Sequence, residues 1–179
     1  MHPDNHLFYC TAGLVCAVFA AYHDVTERRI PNYLTGAGVL SGLLLHLGLD
    51  GWKGFLSASA AMLIAGVIFF IFFAAGGMGG GDVKLVAAVA SLIGIQHVAY
   101  LLILTSLAGG VMAIWMAMGR GLLRTTASNV FHLANHHLRK GLTPHPVLNI
   151  ENKATLRLPY GVAIAAGSFL TLYLTRAQG

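Results

Sequence analysis

The chain has 179 residues, of which 56% are hydrophobic and only 9% are charged, and its mean hydropathy is +0.72. Because about a quarter of the residues in a soluble globular domain are charged, this composition excludes a soluble domain and predicts an integral membrane protein. The net charge of +5 does not predict a nucleic-acid partner, since membrane topology explains the basic residues. We expect one membrane-embedded domain over residues 1–179.

Apolar stretches along the chain predict an all-α bundle of about six transmembrane helices in the lipid bilayer. A spanning helix needs about 20 residues, and helices satisfy their own backbone hydrogen bonds in lipid. The region 83–118 fits either two short helices joined near 94–97 or one long tilted helix. The stretches fall at roughly 6–23, 33–50, 54–75, 83–95, 97–118 and 159–175.

The distribution of basic residues predicts that the N-terminus lies outside. In that orientation nine of the eleven Lys and Arg residues fall in cytoplasmic segments, the bias that the positive-inside rule describes. The same orientation places Asp24 and Asp82 together at the cytoplasmic face. The nine residues are Arg28, Arg29, Lys84, Arg120, Arg124, Arg139, Lys140, Lys153 and Arg157.

The longest polar segment, about 119–158, is predicted to be a cytoplasmic loop that contains an amphipathic helix on the membrane surface. Its apolar residues recur at helical spacing from Leu123 to Leu138. A helix there would end before Pro144. A solvated basic loop explains the same segment equally well.

Asp24 ends the first apolar stretch and Asp82 opens the fourth. Ionisable groups beside apolar spans are functional candidates, and two carboxyl groups that share one proton can act as the general base and the general acid of an aspartic hydrolase. Each residue also has a structural explanation. Asp82 can simply cap a helix, and Asp24 can pair with Arg28 four residues later.

Three glycines, Gly79, Gly80 and Gly81, directly precede Asp82. Glycines permit positive φ and close backbone approach, so we expect a loop that positions Asp82 and admits an extended substrate. A plain flexible turn is the alternative. A phosphate loop would continue with Gly-Lys-Ser/Thr, whereas Asp82 would repel phosphate.

Proline-containing motifs begin two later spans. In Ile30-Pro31-Asn32, Pro31 biases Ile30 toward extended backbone and can open the second helix. Pro159 and Gly161 open the sixth span in the same way. We interpret these residues as positioning elements rather than as reacting groups.

No metal site and no cofactor are expected. His132 and His136 form an i,i+4 pair, but no glutamate completes a His-Glu-x-x-His pattern. The two cysteines, Cys10 and Cys16, fit neither a zinc nor a redox spacing and are predicted to be packing residues.

Together, three blocks resemble the type IV prepilin peptidase family, and the likeness covers nearly the whole chain. They are Asp24 with Ile30-Pro31-Asn32, the block from Gly79 through Lys84 to Leu85, and the block from Pro159 to Gly167. The resemblance is to the short form without the methyltransferase domain, similar to the peptidases of Flp-type prepilins.

The resemblance implies a membrane aspartic endopeptidase of the bacterial inner membrane, with Asp24 and Asp82 as its catalytic pair. It also implies that Gly79, Gly80, Gly81 and Lys84 help to position the substrate or the loop. Such an enzyme removes a short basic leader from prepilin-like precursors at the cytoplasmic face, and its products build pili or related filaments. The sequence does not indicate an oligomeric state.

Two other functions use the same acids. A presenilin-like protease shares the Gly-x-Gly-Asp pattern but cuts within spans, whereas Asp24 lies at the end of a span. A non-enzymatic proton-coupled transporter or assembly subunit would use the acids as a relay, but proton pathways usually place acids near mid-membrane.

Overall fold

The computed structural model is helical, and the residues that it describes, 5–126, 128–130, 132, 141 and 158–178, contain no strand. This confirms the prediction of an all-α membrane helix bundle. Three helices, α1, α2 and α4, are long and apolar enough to cross a membrane. The helices are α1 (Asn5–Glu27), α2 (Asn32–Ala74), α3 (Gly80–Ile93), α4 (Val98–Gly119) and α5 (Tyr160–Gln178).

Helix α2 contains two of the predicted spans. Its 43 residues would measure about 65 Å if straight, twice the hydrocarbon thickness of a bilayer. Gly51 interrupts the helix with φ 66° and ψ −154°, a conformation that glycine adopts readily. Both halves of α2 then pack along α3, since an added Cβ on Gly42 or Gly66 would contact α3. The break falls in the predicted gap between 50 and 54.

Helix α3 lies at the centre of the bundle. It has only 14 residues, or about 21 Å, which is too short to cross a bilayer alone. Most of its side chains are buried, including Leu85, Val86 and Val89, so protein rather than lipid surrounds it. Gly94, with φ 81°, ends the helix before α4 begins. Of the two alternatives for 83–118, the structure has two separate helices.

Small residues bring α5 against its neighbours α1 and α4. A Cβ on Gly167 would lie 2.7 Å from the backbone nitrogen of Thr105, so the backbones of α4 and α5 nearly touch. Nearer the C-terminal end of α5, Cys10 of α1 lies 3.7 Å from the Thr175 hydroxyl. Cys10 and Cys16 are both buried as free thiols, as expected for packing residues.

The predicted amphipathic helix is described only at its start. Residues 123–126, 128–130 and 132 are helical. Most of the predicted loop, including most of the remainder of that helix and Pro144, lies outside the described residues.

Candidate active site

Asp24 is held at the end of α1 by the beginning of α5. Its Oδ2 accepts a hydrogen bond of 2.8 Å from the backbone N–H of Gly161. The first N–H groups of a helix have no partner within the helix, so the carboxylate satisfies one of them. A Cβ on Gly161 would lie 3.0 Å from Asp24 Oδ2. Glycine therefore allows the backbone of α5 to approach the acid.

Asp82 occupies the first turn of α3, where it forms two hydrogen bonds with Gly79. The backbone N–H of Gly79 donates to Oδ2 at 3.1 Å, and the Asp82 N–H donates to the Gly79 carbonyl at 3.1 Å. Just before this turn, the side chain of Met78 is buried in the core with 3% exposure. The buried side chain of Met78 thus anchors the glycine loop just before the turn that carries Asp82.

Both aspartates line one cavity of about 560 Å³. The ends of five helices meet there, because α1 and α4 end at the side of the bundle where α2, α3 and α5 begin. Of the site residues predicted from sequence, Pro31, Gly80 and Gly161 do not line the cavity. The lining consists of Asp24, Val25, Arg28, Arg29, Ile30, Asn32, Gly79, Gly81, Asp82, Lys84, Met116, Arg120, Leu158 and Pro159.

The Ile30-Pro31-Asn32 motif packs directly on the start of α3. A Cβ on Gly81 would lie 3.4 Å from the Ile30 Cβ. Asn32 Oδ1 accepts a hydrogen bond of 2.9 Å from Lys84 Nζ, across the cavity rim. The chain that links α1 to α2 is therefore fixed to the helix that carries Asp82. Gly80 is near Phe73 instead, on the side of α2.

Burial raises the pKa of Asp82 to about 6, and the nearby negative charge of Asp24 acts in the same direction. The hydrogen bond from Gly79 opposes this shift, because it stabilises the ionised form. Asp82 is 9% exposed, whereas Asp24 is only partly buried. Burial also raises the pKa of Asp24, and the hydrogen bond from Gly161 opposes that shift.

Sequence reasoning named Lys84 as a site residue but missed the three arginines that line the cavity. Arg28, Arg29 and Arg120 line it together with Lys84. Arg28 has φ 52°, a left-handed conformation that is uncommon outside glycine and asparagine and that occurs at functional sites. Arg28 and Arg29 could have been predicted as site residues, because they lie four and five residues after Asp24 in the sequence. Arg120 joins the site only because α4 ends at this side.

Among the described residues, no three His, Cys, Asp or Glu side chains are arranged to hold a metal ion. His136, one member of the pair noted in the sequence, lies outside those residues. His132, the other, does not line the cavity.

A model of the type IV leader peptidase family matches residues 11–114. The chain belongs to this family. The matched segment contains both aspartates, the Ile30-Pro31-Asn32 motif and the glycine loop, whereas Pro159 and Gly161 lie beyond it. No curated protein and no solved structure matches the chain. Membership of the type IV leader peptidase family, together with the apolar helices, indicates an integral membrane protein with a leader-peptidase type of function.

Proposed function

We propose that the protein is an aspartic endopeptidase that removes the basic leader from prepilin-like precursors, of the Flp type, at the cytoplasmic face of the bacterial inner membrane. The observation that carries this proposal is the single cavity shared by Asp24 and Asp82. Family membership supports the peptidase class, and the acid pair supports the aspartic mechanism.

In this mechanism a water molecule between the two carboxyl groups attacks the scissile carbonyl. Asp24, the less buried acid, removes a proton from the water, while Asp82 donates its proton to the carbonyl oxygen. The deeper burial of Asp82 supports this assignment, because burial favours the protonated form of a carboxyl group. The attack needs no covalent intermediate with the protein.

The charges around the cavity support a particular path for the substrate. Four cationic side chains line it, so a basic leader would be repelled from its interior. We propose that the basic leader residues remain in the cytosol, near anionic lipid, and that only the scissile bond and a small preceding residue such as glycine reach the acids. The same cations favour a cytoplasmic position of this end of the bundle.

The decisive experiment is cleavage of a Flp-type prepilin by purified protein in detergent, followed by sequencing of the new N-terminus. We expect cleavage beside the basic leader, and loss of at least about 10³-fold in kcat in Asp24→Asn and in Asp82→Asn. Glu27→Gln is the matched control, because Glu27 is an exposed acid of the same helix end as Asp24. Full cleavage by both aspartate variants would refute the proposal.

Two further results would favour other functions. Cleavage inside the apolar segment of the substrate would favour a presenilin-like protease. If a panel of prepilins in native lipid stays intact and liposomes show proton flux, a transporter subunit becomes the better explanation.

A further inference from the structure

A second buried polar cluster lies at the other end of α3, around Asp50. The Tyr9 hydroxyl donates to Asp50 Oδ2 at 2.8 Å, and the Asn5 amide donates to Oδ1 at 3.4 Å. His46, one helical turn before Asp50, stacks on the Tyr9 ring with 3.8 Å between the ring centroids. Tyr9 and His46 are fully buried, and the Asp50 side chain is only 5% exposed. None of these residues lines the cavity of the aspartate pair.

The side chain of His46 caps the C-terminal end of α3. Its Nε2 lies 3.1 Å from the carbonyl oxygen of Leu92, one of the last carbonyls of the helix. Gly94 makes room for the ring, because a Cβ there would lie 3.0 Å from His46 Cε1. Leu92 follows Asp82 by ten residues, or about 15 Å along the helix. His46 therefore contacts the C-terminal end of α3, and Asp82 lies in the first turn at the opposite end of the same helix.

The partners of His46 fix which of its nitrogens carries hydrogen. A carbonyl oxygen only accepts, so Nε2 must donate to Leu92, and Nδ1 of a neutral ring is then a bare acceptor. That Nδ1 has no hydrogen-bond partner and lies 3.7 Å from Asp50 Oδ2. With a neutral ring and an ionised carboxylate, two acceptors would face each other. One additional proton between them removes this conflict.

Burial opposes a charged imidazole, as does a positive charge on the neighbouring His6. Two features of the site favour a protonated His46 and offset the cost of burying its charge. Asp50 accepts hydrogen bonds from Tyr9 and Asn5, and its Oδ2 lies within ion-pair distance of a protonated His46. A positive charge at the C-terminus of α3 also interacts favourably with the helix dipole.

We propose that His46, Asp50 and Tyr9 form a positioning network that holds α3, and with it Asp82, through an ion pair between a protonated His46, with hydrogen on Nδ1, and Asp50 Oδ2. Two further histidines lie at this end, His6 of α1 and His97 before α4, and their Nδ1 atoms are also buried without a partner. The charged side chains Lys53 and Arg176 lie at this end as well. The effect on catalysis rests on the proposed function, whereas the proton on His46 Nδ1 is observable without a substrate.

The proton is tested by nitrogen NMR of protein labelled with ¹⁵N-histidine in detergent, with the His46 signals assigned by their loss in His46→Gln. At neutral pH we expect hydrogen on both ring nitrogens in the wild type. In Asp50→Asn the new amide donates to Nδ1, so the ring becomes neutral with hydrogen only on Nε2. A neutral His46 in the wild type, or identical signals in Asp50→Asn, would overturn the proposal.

The positioning role is tested by kinetics. Asp50→Ala removes the acceptor of both the Tyr9 hydroxyl and the hydrogen on His46 Nδ1, so we expect kcat to fall about 10- to 100-fold with KM within about twofold. Asp50→Asn keeps the size of the side chain, but its amide cannot both accept from Tyr9 and donate to His46 at the Oδ2 position, so we expect a smaller loss of kcat than in Asp50→Ala. Tyr9→Phe removes only the 2.8 Å hydrogen bond from Tyr9 to Asp50, and we expect a several-fold loss of kcat. This variant provides the test if Asp50→Ala does not fold.

Lower thermal stability with unchanged kcat in Asp50→Ala and Tyr9→Phe would mean a purely structural role and would refute the positioning claim. If the wild type cleaves no prepilin, the proposed function fails instead, and the labelled-histidine spectra still decide whether His46 is protonated on Nδ1.

Discussion

Replacing Gly161 by alanine tests whether the geometry of Asp24 controls catalysis. The backbone N–H of Gly161 donates to Asp24 Oδ2 at 2.8 Å. A Cβ at this position would lie 3.0 Å from both Cβ and Oδ2 of Asp24 and 3.2 Å from the Cα of Ala21. The contact with Ala21 is to backbone, which cannot rotate away. The added methyl group must therefore displace the carboxyl group or move α5 away from α1.

The size of the displacement follows from ordinary contact distances. Non-bonded carbon atoms are most stable at about 3.5–4.0 Å, so relief of the 3.0 Å contact requires a shift of about 0.5 Å. A misplacement of about 1 Å costs roughly 10²-fold in rate, so we expect kcat of Gly161→Ala to fall about 10-fold, or about 1.4 kcal/mol. KM is expected to change less than about twofold, because the cavity lining is otherwise kept.

The assay is steady-state cleavage of a prepilin by wild type and Gly161→Ala, together with thermal unfolding in the same detergent. Overpacking costs about 1–3 kcal/mol, and the higher helix propensity of alanine offsets about 1 kcal/mol of it. Gly110→Ala is the matched control, since Gly110 also lies in a helix but has open space around it. A kcat of Gly161→Ala within twofold of the control would refute the assigned role of this contact.

Three other perturbations have defined outcomes. Gly167→Ala, whose Cβ would lie 2.7 Å from the backbone nitrogen of Thr105, is expected to lower stability by about 1–3 kcal/mol in thermal unfolding, and an unchanged midpoint would contradict the α4–α5 packing. Lys84→Met removes the exposed bond to Asn32, so stability changes by less than about 1 kcal/mol while kcat/KM falls several-fold; equal kcat/KM argues against a role in the site. Because the pKa of Asp82 is raised to about 6, its proton leaves as the pH rises through that value, and kcat/KM measured across pH is expected to decline on the alkaline side of about 6. A profile that keeps rising toward pH 8, roughly, would mean that Asp82 is not the proton donor.

The sequence alone was sufficient for the class of fold, and it singled out the two aspartates that line one cavity in the structure. An apolar chain in lipid forms helices, because no water is present to satisfy the hydrogen bonds of the backbone. The apolar stretches can therefore be recognised as helices without tertiary information. The sequence also predicted the gap between 50 and 54, where Gly51 has positive φ, a conformation that glycine adopts at little cost. Asp24 and Asp82 stand out because charges beside apolar spans are rare.

The position of α3 could not be read from its sequence. Its 14 residues are too few to cross a bilayer, and only the surrounding halves of α2 explain why so short a helix is stable there. Likewise, the sequence left open whether 83–118 formed one helix or two. Packing against α2 and the turn at Gly94 decided it, and both depend on residues distant in the chain.

Tertiary structure also decided which residues surround the acids. The pairing of Asp24 with the Gly161 N–H joins residues 137 positions apart, and the bond between Lys84 and Asn32 joins residues 52 apart. Arg120 reaches the same cavity only through the direction of α4. A sequence pattern reports local periodicity and the chemistry of single residues, whereas the pKa of Asp82 and the shared cavity depend on burial and on distances between helices, which arise only when the helices pack.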